Sequence, residues 1–178
     1  MGLEKERIHI IVEGCDATGK TTLIQELHRH LGYDIVKGSD FSIAEKGVDA
    51  MFEYMKEVAA TPANLIIDRD FFSNLVYAPL YDKNMLTDEM VAELINMKKG
   101  HSFVIYLHGS LGTVTERIGK RGDDYVKMEH LQNIMNSYHE IIHKFEDDMR
   151  VCKFDIDIYD SYTLAEIIAN AVKWSRGE

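Results

Sequence analysis

The sequence is poor in cysteine and proline, short of positive charge and free of long apolar runs. Its two cysteines, Cys15 and Cys152, form no disulfide framework in 178 residues, and no Cys/His cluster has the spacing of a zinc site. The 20 Lys and Arg residues against 30 Asp and Glu leave a net charge of −10, which argues against a nucleic-acid coat protein or an anionic-membrane binder. Neither a membrane span nor a signal peptide follows the charged residues 1–7. These exclusions predict a reduced, soluble, cytoplasmic protein.

The rest of the composition is that of an ordinary globular chain. Hydrophobic residues make up 46% and charged residues 28% of the sequence, and no Pro/Gly-rich linker interrupts it. Length and continuity therefore predict one domain over residues 1–178.

Segments typical of strands and helices alternate along this domain. The predicted strands lie at 8–12, 34–37, 64–67, 103–107 and 151–159. The predicted helices lie at 19–31, 48–60, 71–81, 87–98, 111–120, 126–149 and 164–174. Such alternation predicts a three-layer α/β fold, in which helices cover both faces of a central, mostly parallel five-stranded sheet. Ligands bind such sheets beyond the carboxyl ends of the strands.

The first predicted strand runs directly into a phosphate loop. Residues 14–21 fit the pattern G-x-x-x-x-G-K-[ST] at every defined position. The glycines let the backbone curl so that successive N–H groups point at phosphate oxygens where a helix begins. Lys20 would reach the β- and γ-phosphates, and Thr21 would ligate Mg²⁺. The motif predicts ATP and Mg²⁺ as cofactors, bound by Gly14, Cys15, Asp16, Ala17, Thr18, Gly19, Lys20, Thr21 and Thr22.

Three segments carry a resemblance to known kinases. Residues 13–22 resemble the E-G-x-D-x-x-G-K-x-T opening of thymidylate kinases, and residues 68–77 are similar to their D-R-Y-x-x-S-x-x-A-Y segment. Residues 116–122 resemble the helix and the start of the basic lid in these enzymes. Deoxynucleoside kinases share this architecture, and residues 80–89 resemble their segment after the D/E-R-S motif. The resemblance implies a P-loop nucleoside or nucleotide kinase fold with a helical lid at about 117–127.

The resemblance also implies a role for each matching residue on the acceptor side. Asp16 matches the loop aspartate that contacts the 3′-hydroxyl of the acceptor sugar. Asp68 matches an acidic group that holds Mg²⁺ or orients the acceptor. Arg69 matches the arginine that grips the acceptor phosphate, for which a planar, bidentate guanidinium is suited. Ser73 and Tyr77 match residues that line the acceptor pocket.

The predicted lid supplies further cations. Arg117 and Arg121 match arginines that close over the phosphates. Some family members carry an arginine in the phosphate loop itself, but Ala17 and Thr18 occupy this loop. We therefore expect Lys120 and Arg121 to neutralise the charge of the transition state.

The acceptor side departs from the thymidylate kinase pattern. The R-E-P-G segment after the second strand is absent, and residues 37–41 stand in its place. Here Asp40 is either a second catalytic carboxylate, as in nucleoside kinases, or a helix N-cap. Phe41 either stacks on a base or belongs to the core. A further family arginine is matched at best by Lys56. Its ammonium is a point charge and cannot bind a phosphate in the bidentate way of a guanidinium.

These residues predict an ATP-dependent nucleotide kinase that acts on the 5′-phosphate of a pyrimidine deoxynucleoside monophosphate, with thymidylate as the first candidate. The alternative is a deoxynucleoside kinase that acts on a 5′-hydroxyl and needs a base, either Asp40 or Asp68. A third candidate is a P-loop ATPase or nucleotide sensor without a small acceptor. The expected partner is a small nucleotide or nucleoside. The resemblance also implies a homodimer, with helix 48–60 or the pair within 71–98 as its face.

Overall fold

A computed structural model describes residues 7–39, 41–121 and 128–177. Its sheet consists of β1 (His9–Glu13), β2 (Asp34–Lys37), β3 (Leu65–Asp68), β4 (Ser102–His108) and β5 (Arg150–Asp155). The strands lie in the order β2-β3-β1-β4-β5, and every neighbouring pair is parallel. The predicted parallel sheet is therefore confirmed, and β1 with its phosphate loop lies at its centre.

Helices connect successive strands and cover the sheet. Within the described residues they are α1 (Lys20–Leu31), α2 (Phe41–Ala44), α3 (Val48–Ala60), α4 (Phe71–Tyr77), α5 (Asp88–Lys98), α6 (Leu111–Arg121), α7 (Met128–Phe145) and α8 (Ser161–Ser175). Helix α1 packs against α8, α4 against α7, and α3 against α5. The arrangement is the predicted three-layer α/β fold. No helix in the described part of the chain is long and apolar enough to cross a membrane.

Burial distinguishes the inner strands from the two edge strands, β2 and β5. Ile10, Ile11 and Val12 of β1 are fully buried, as expected for a strand with neighbours on both sides and helices over both faces. Strand β5, at one edge of the sheet, leaves most of its residues exposed or half-buried. Continuous apolar runs are thus typical of the inner strands, whereas the sequence of the edge strand β5 alternates apolar and polar residues.

Several predicted element ends are wrong. The helix predicted at 71–81 ends at Tyr77, because the chain turns there and the Leu80 amide donates to the Tyr77 carbonyl, 3.1 Å away. The strand predicted at 151–159 ends at Asp155, whose carbonyl accepts from Ile158 (3.1 Å) and Tyr159 (3.0 Å) in a turn. The short helix α2 was not predicted, and α7 ends at Phe145, before the predicted end.

Candidate active site

The phosphate loop curls between β1 and α1. Gly14, Ala17 and Gly19 have φ angles of 143°, 61° and 93°, in the region that favours residues without a side chain. A Cβ on Gly14 would lie 2.4 Å from the carbonyl oxygen of Leu107, so no larger residue fits there. The loop therefore has the glycine-dependent bend that the sequence predicts, at the carboxyl end of the central strand.

Lys20 extends into this loop from the first turn of α1. Its Nζ donates to the carbonyl oxygen of Cys15 at 2.7 Å, and the Thr18 hydroxyl donates to the same oxygen at 2.8 Å. Burial, and next the neighbouring Arg69, lower the pKa of Lys20 to about 8, whereas Asp16 opposes both effects. A buried ammonium of this kind is stabilised by a nearby anion, so the loop fits a polyphosphate.

Arg69 lies directly after β3, beside the phosphate loop. Its Nη1 donates to Tyr138 Oη at 2.7 Å, to Ser73 Oγ at 3.2 Å and to the Gly14 carbonyl at 3.3 Å. Its Nη2 forms an ion pair with Asp16 Oδ1 at 2.8 Å. The residue has a φ of 62°, a left-handed conformation that costs a non-glycine residue about 1–3 kcal/mol and is concentrated at functional sites. The fold thus holds this guanidinium in one place.

Tyr77 completes a group that we call the acceptor cluster: Asp16, Arg69, Ser73 and Tyr77. The Tyr77 hydroxyl donates to Asp16 Oδ2 at 3.1 Å, and its ring lies under the Arg69 guanidinium, 5.1 Å from centroid to Cζ. All four residues were predicted from the sequence to line one pocket, and the structure brings all four into contact.

Two residues behind the acceptor cluster were missed by the sequence reasoning. Glu13 is fully buried, and its Oε1 accepts from the backbone N–H of Asp70 at 2.6 Å. Its Oε2 accepts from the hydroxyls of Ser73 (2.7 Å) and Tyr138 (3.3 Å). Burial raises the pKa of Glu13 to about 7, although Arg69 lowers it. Glu13 could have been predicted, because a carboxylate at the end of an otherwise apolar strand is unusual. Tyr138 has only the apolar spacing of a helix, which does not indicate a functional role.

Thr21 and Asp68, the predicted metal ligands, and Thr22, a predicted nucleotide-binding residue, lie at the loop or at the end of the neighbouring strand β3. Asp68 ends β3 opposite Val12 of β1, and its charge raises the pKa of Lys20. Thr21 is exposed and Thr22 half-buried in the first turn of α1. Mg²⁺ is usually held by one or two protein oxygens together with substrate phosphates, so the Thr21 hydroxyl and the Asp68 carboxylate fit this ion.

The predicted lid cations divide into two groups. Arg117 on α6 donates through Nη2 to the carbonyl of Ile156 at 3.4 Å, and its Nη1 would lie 3.8 Å from a Cβ on Gly19. Arg117 therefore lies beside the phosphate loop. Lys120 instead pairs with Glu116, at 2.5 Å, and both side chains are exposed on α6. The predictions outside the described part of the chain concern residues 122–127 of the lid, Asp40, and the side chains of Phe41 and Arg121.

Lys56 is also neutralised by protein carboxylates. Its ammonium lies 3.3 Å from Glu53 on α3 and 3.1 Å from Glu93 on α5. The lysine thus bridges two helices at the α3–α5 contact.

A sequence model of the deoxynucleoside kinase family matches residues 41–173. The chain belongs to the deoxynucleoside kinase family. Its sequence is 35% identical, over 134 residues, to the SPbeta prophage-derived uncharacterized protein YorR of Bacillus subtilis, covering 75% of this chain and 81% of YorR. It is 23% identical to a deoxyadenosine kinase of Dictyostelium discoideum, covering 92% of this chain and 78% of that enzyme.

Solved structures agree with this membership. The crystal structure of YorR in complex with phosphorylated GDP superposes with a TM-score of 0.88 at 30% identity, covering 96% of this chain and 98% of YorR. A deoxyadenosine kinase from M. mycoides with bound dATP has a TM-score of 0.61 at 23% identity, covering 94% of this chain and all of that chain (100%), and shows the shared fold. The family supports the predicted kinase architecture and favours the deoxynucleoside kinase alternative over the thymidylate kinase assignment.

Proposed function

We propose that the protein is a deoxynucleoside kinase that transfers the γ-phosphoryl group of ATP to the 5′-hydroxyl of a deoxynucleoside. The observation that carries this proposal is the ion pair between Arg69 and Asp16, at 2.8 Å. Asp16 already opposes the charge of the arginine that was expected to grip an acceptor phosphate. A dianionic monophosphate would gain less from this neutralised pair than from a free arginine, whereas a neutral hydroxyl needs no net positive charge.

Lys56 supports the same conclusion. Lys56 stands where the resemblance places a second arginine for the acceptor phosphate. Its ammonium pairs with Glu53 and Glu93, so these carboxylates neutralise the charge that a monophosphate would need. A neutral nucleoside has no need of this cation.

The relatives indicate which nucleosides to test first. The YorR structure contains phosphorylated GDP, and the D. discoideum relative is a deoxyadenosine kinase. We therefore infer that purine deoxynucleosides are better first candidates than thymidine, which the motifs alone had favoured.

In the proposed reaction the protein positions groups and neutralises charge. Lys20 and the amides of the phosphate loop would hold the β- and γ-phosphates, and Thr21 with Asp68 would hold Mg²⁺. When bound, Mg²⁺ neutralises charge on the phosphate oxygens. Arg69 orients the 5′-hydroxyl, and a carboxylate, either Asp68 or Asp40, accepts its proton.

The remaining roles and the assembly stay predictions of the proposal. Arg117, beside the phosphate loop, and Arg121 with Lys120 from the lid would meet the charge of the transferred group. The homodimer expected from the resemblance also stays a prediction.

The test is a steady-state assay of ADP formation with a panel of deoxynucleosides and their monophosphates. We expect turnover with at least one deoxynucleoside and none with the monophosphates. Of Asp40→Asn and Asp68→Asn, the one that removes the proton acceptor should lower kcat by about 10²-fold or more, as expected for loss of a general base. Lys56→Gln is the matched control, and it should leave the KM of the nucleoside unchanged.

Two results would contradict the proposal. Turnover of monophosphates alone, with a higher acceptor KM in Lys56→Gln, would favour a nucleotide kinase. ATP hydrolysis that no acceptor accelerates would favour an ATPase or nucleotide sensor.

A further inference from the structure

Glu13 is a fully buried carboxyl group that the proposed reaction does not use. It lies at the end of β1, immediately before the phosphate loop, and reaches Arg69 through two hydroxyls. We propose that Glu13 is a positioning residue whose ionised carboxylate orients the Ser73 and Tyr138 hydroxyls so that both accept hydrogen bonds from Arg69. The inference rests on the proposed function only for the role of Arg69 at the acceptor.

The argument starts from the direction of each hydrogen bond. A guanidinium only donates, so Ser73 Oγ (3.2 Å) and Tyr138 Oη (2.7 Å) must both accept from Arg69 Nη1. Each hydroxyl proton then needs a different acceptor. The Ser73 proton is directed to Glu13 Oε2 at 2.7 Å. The Tyr138 proton is directed to the same oxygen at 3.3 Å or to Ser73 Oγ at 2.8 Å.

An ionised Glu13 satisfies all of these donors. Its Oε2 accepts the hydroxyl protons, and its Oε1 accepts the Asp70 N–H at 2.6 Å. Protonation would turn Oε2 into a donor to one of the two hydroxyls. That hydroxyl would then receive two donors, from Glu13 and from Arg69, and its own proton would lose its acceptor. The proton on Glu13 therefore weakens the hydrogen bonds that hold Arg69.

The surroundings make this ionisation sensitive to Arg69. Charged and titratable groups face Glu13 from every element packed around it. They are Arg69 and Asp70 between β3 and α4, Lys98 of α5 behind Asp70, Tyr106 of β4 and Tyr138 of α7. Burial raises the pKa of Glu13 to about 7, and Arg69 is the strongest opposing influence. The carboxyl thus changes its charge within the ordinary assay range.

The first experiment compares wild-type protein with Glu13→Gln in a pH profile of kcat/KM for the best deoxynucleoside. The glutamine keeps the shape of the side chain and the acceptor for Asp70, but its amide donates as a protonated carboxyl does. We expect wild-type activity to fall below about pH 7, and we expect Glu13→Gln to lack this acid limb. At pH 8 the variant should lose on the order of tenfold in kcat/KM, as expected for one charge-assisted hydrogen bond, with the KM of ATP unchanged.

Glu166→Gln is the matched control. Glu166 is an exposed glutamate on α8, so its variant should retain the acid limb and the wild-type rate. An acid limb that persists unchanged in Glu13→Gln would overturn the proposal.

The second experiment follows the Glu13 carboxyl directly, by ¹³C NMR of the free protein. Wild-type Glu13 should titrate near pH 7, and Arg69→Gln should raise its pKa because the opposing cation is lost. A signal that titrates near 4.5, or one that Arg69→Gln leaves unmoved, would overturn the proposal. This measurement needs no substrate and no folded Glu13 variant, so its outcome is independent of whether a deoxynucleoside proves to be the acceptor.

Discussion

At the scale of single residues, Arg69 combines an unusual backbone conformation with a fully engaged guanidinium. Its left-handed φ of 62° places the side chain toward the phosphate loop, where it contacts a carbonyl, two hydroxyls and a carboxylate. A planar fork with several donors can serve these acceptors together, whereas a single ammonium cannot.

Arg69→Lys should therefore lower kcat/KM for the acceptor by about 10²- to 10³-fold, since charge is kept but fixed donors are lost. Steady-state kinetics with the best acceptor measure this loss. Arg29→Lys is the control, because Arg29 lies exposed on α1 and contacts its helix neighbours Glu26 and His30, and it should keep the wild-type rate. A rate within threefold of wild type in Arg69→Lys would show that charge alone suffices.

Sequence patterns predicted the acceptor cluster but not Tyr138 and Glu13 behind it, for physical reasons. Asp16, Arg69 and Ser73 stand in motifs whose spacing after a strand end places them at the phosphate loop. Tyr138 comes from a helix distant in sequence, and a buried tyrosine with helical spacing looks the same whether it packs in the core or bonds to an arginine. The contact between Tyr138 and Glu13 exists only through the tertiary fold.

At the scale of elements, a buried ion pair fixes α4 to α5. Lys98 of α5 and Asp70, the N-cap of α4, are at most 1% exposed and pair with each other. Asp70 also accepts from the Phe71 amide at 2.7 Å and donates its own N–H to Glu13. Helix α5 therefore holds the turn that follows Arg69.

Lys98→Met should destabilise the protein by about 3–5 kcal/mol, because it leaves the Asp70 carboxylate buried without its partner. Adding Asp70→Asn should recover part of this loss, since asparagine keeps the N-cap without the charge. Urea unfolding measures both effects. Lys99→Met, at the exposed neighbouring position, should change the free energy of unfolding by less than about 0.5 kcal/mol. A similarly small change in Lys98→Met would show that the pair contributes little.

The elements themselves were easier to predict than their ends. The apolar run of β1 and the periodic residues of α3 identify a buried strand and a helix without tertiary information. The ends of α4 and β5 depend on turns closed by backbone hydrogen bonds, and the side-chain pattern does not predict such turns. The predicted boundaries were therefore too long at both places.

At the scale of the whole molecule, two buried groups give the stability opposite dependences on pH. The folded pKa of Glu13, about 7, is above its usual value of 4.5, so between these values the folded state holds a proton that the unfolded state has lost. Stability from Glu13 therefore falls as the pH rises through this range, by on the order of 3 kcal/mol. Burial, and next the adjacent His101, lowers the pKa of His9 from 6.5 to about 4, so its contribution rises with pH between these values.

Glu13→Gln should remove the first dependence and expose the second. We expect the free energy of unfolding of this variant to rise from about pH 4 to 6.5, because only the His9 contribution remains. In the wild type the Glu13 and His9 contributions largely cancel over this range, so its free energy of unfolding should change little. Between pH 6.5 and 7 the wild-type value should still fall and that of the variant should not. Urea unfolding at a series of pH values measures both curves, and parallel curves would contradict the assignment.

The two thiols differ in chemical reactivity because of where the sheet places them. Cys15 is buried in the phosphate loop, and burial raises its pKa to about 11, so it stays an uncharged thiol. Cys152 is exposed on β5, two strands away from β1. A thiol-reactive dye would consequently attach at Cys152, which makes the natural sequence ready for fluorescence studies of nucleotide binding without any engineered cysteine.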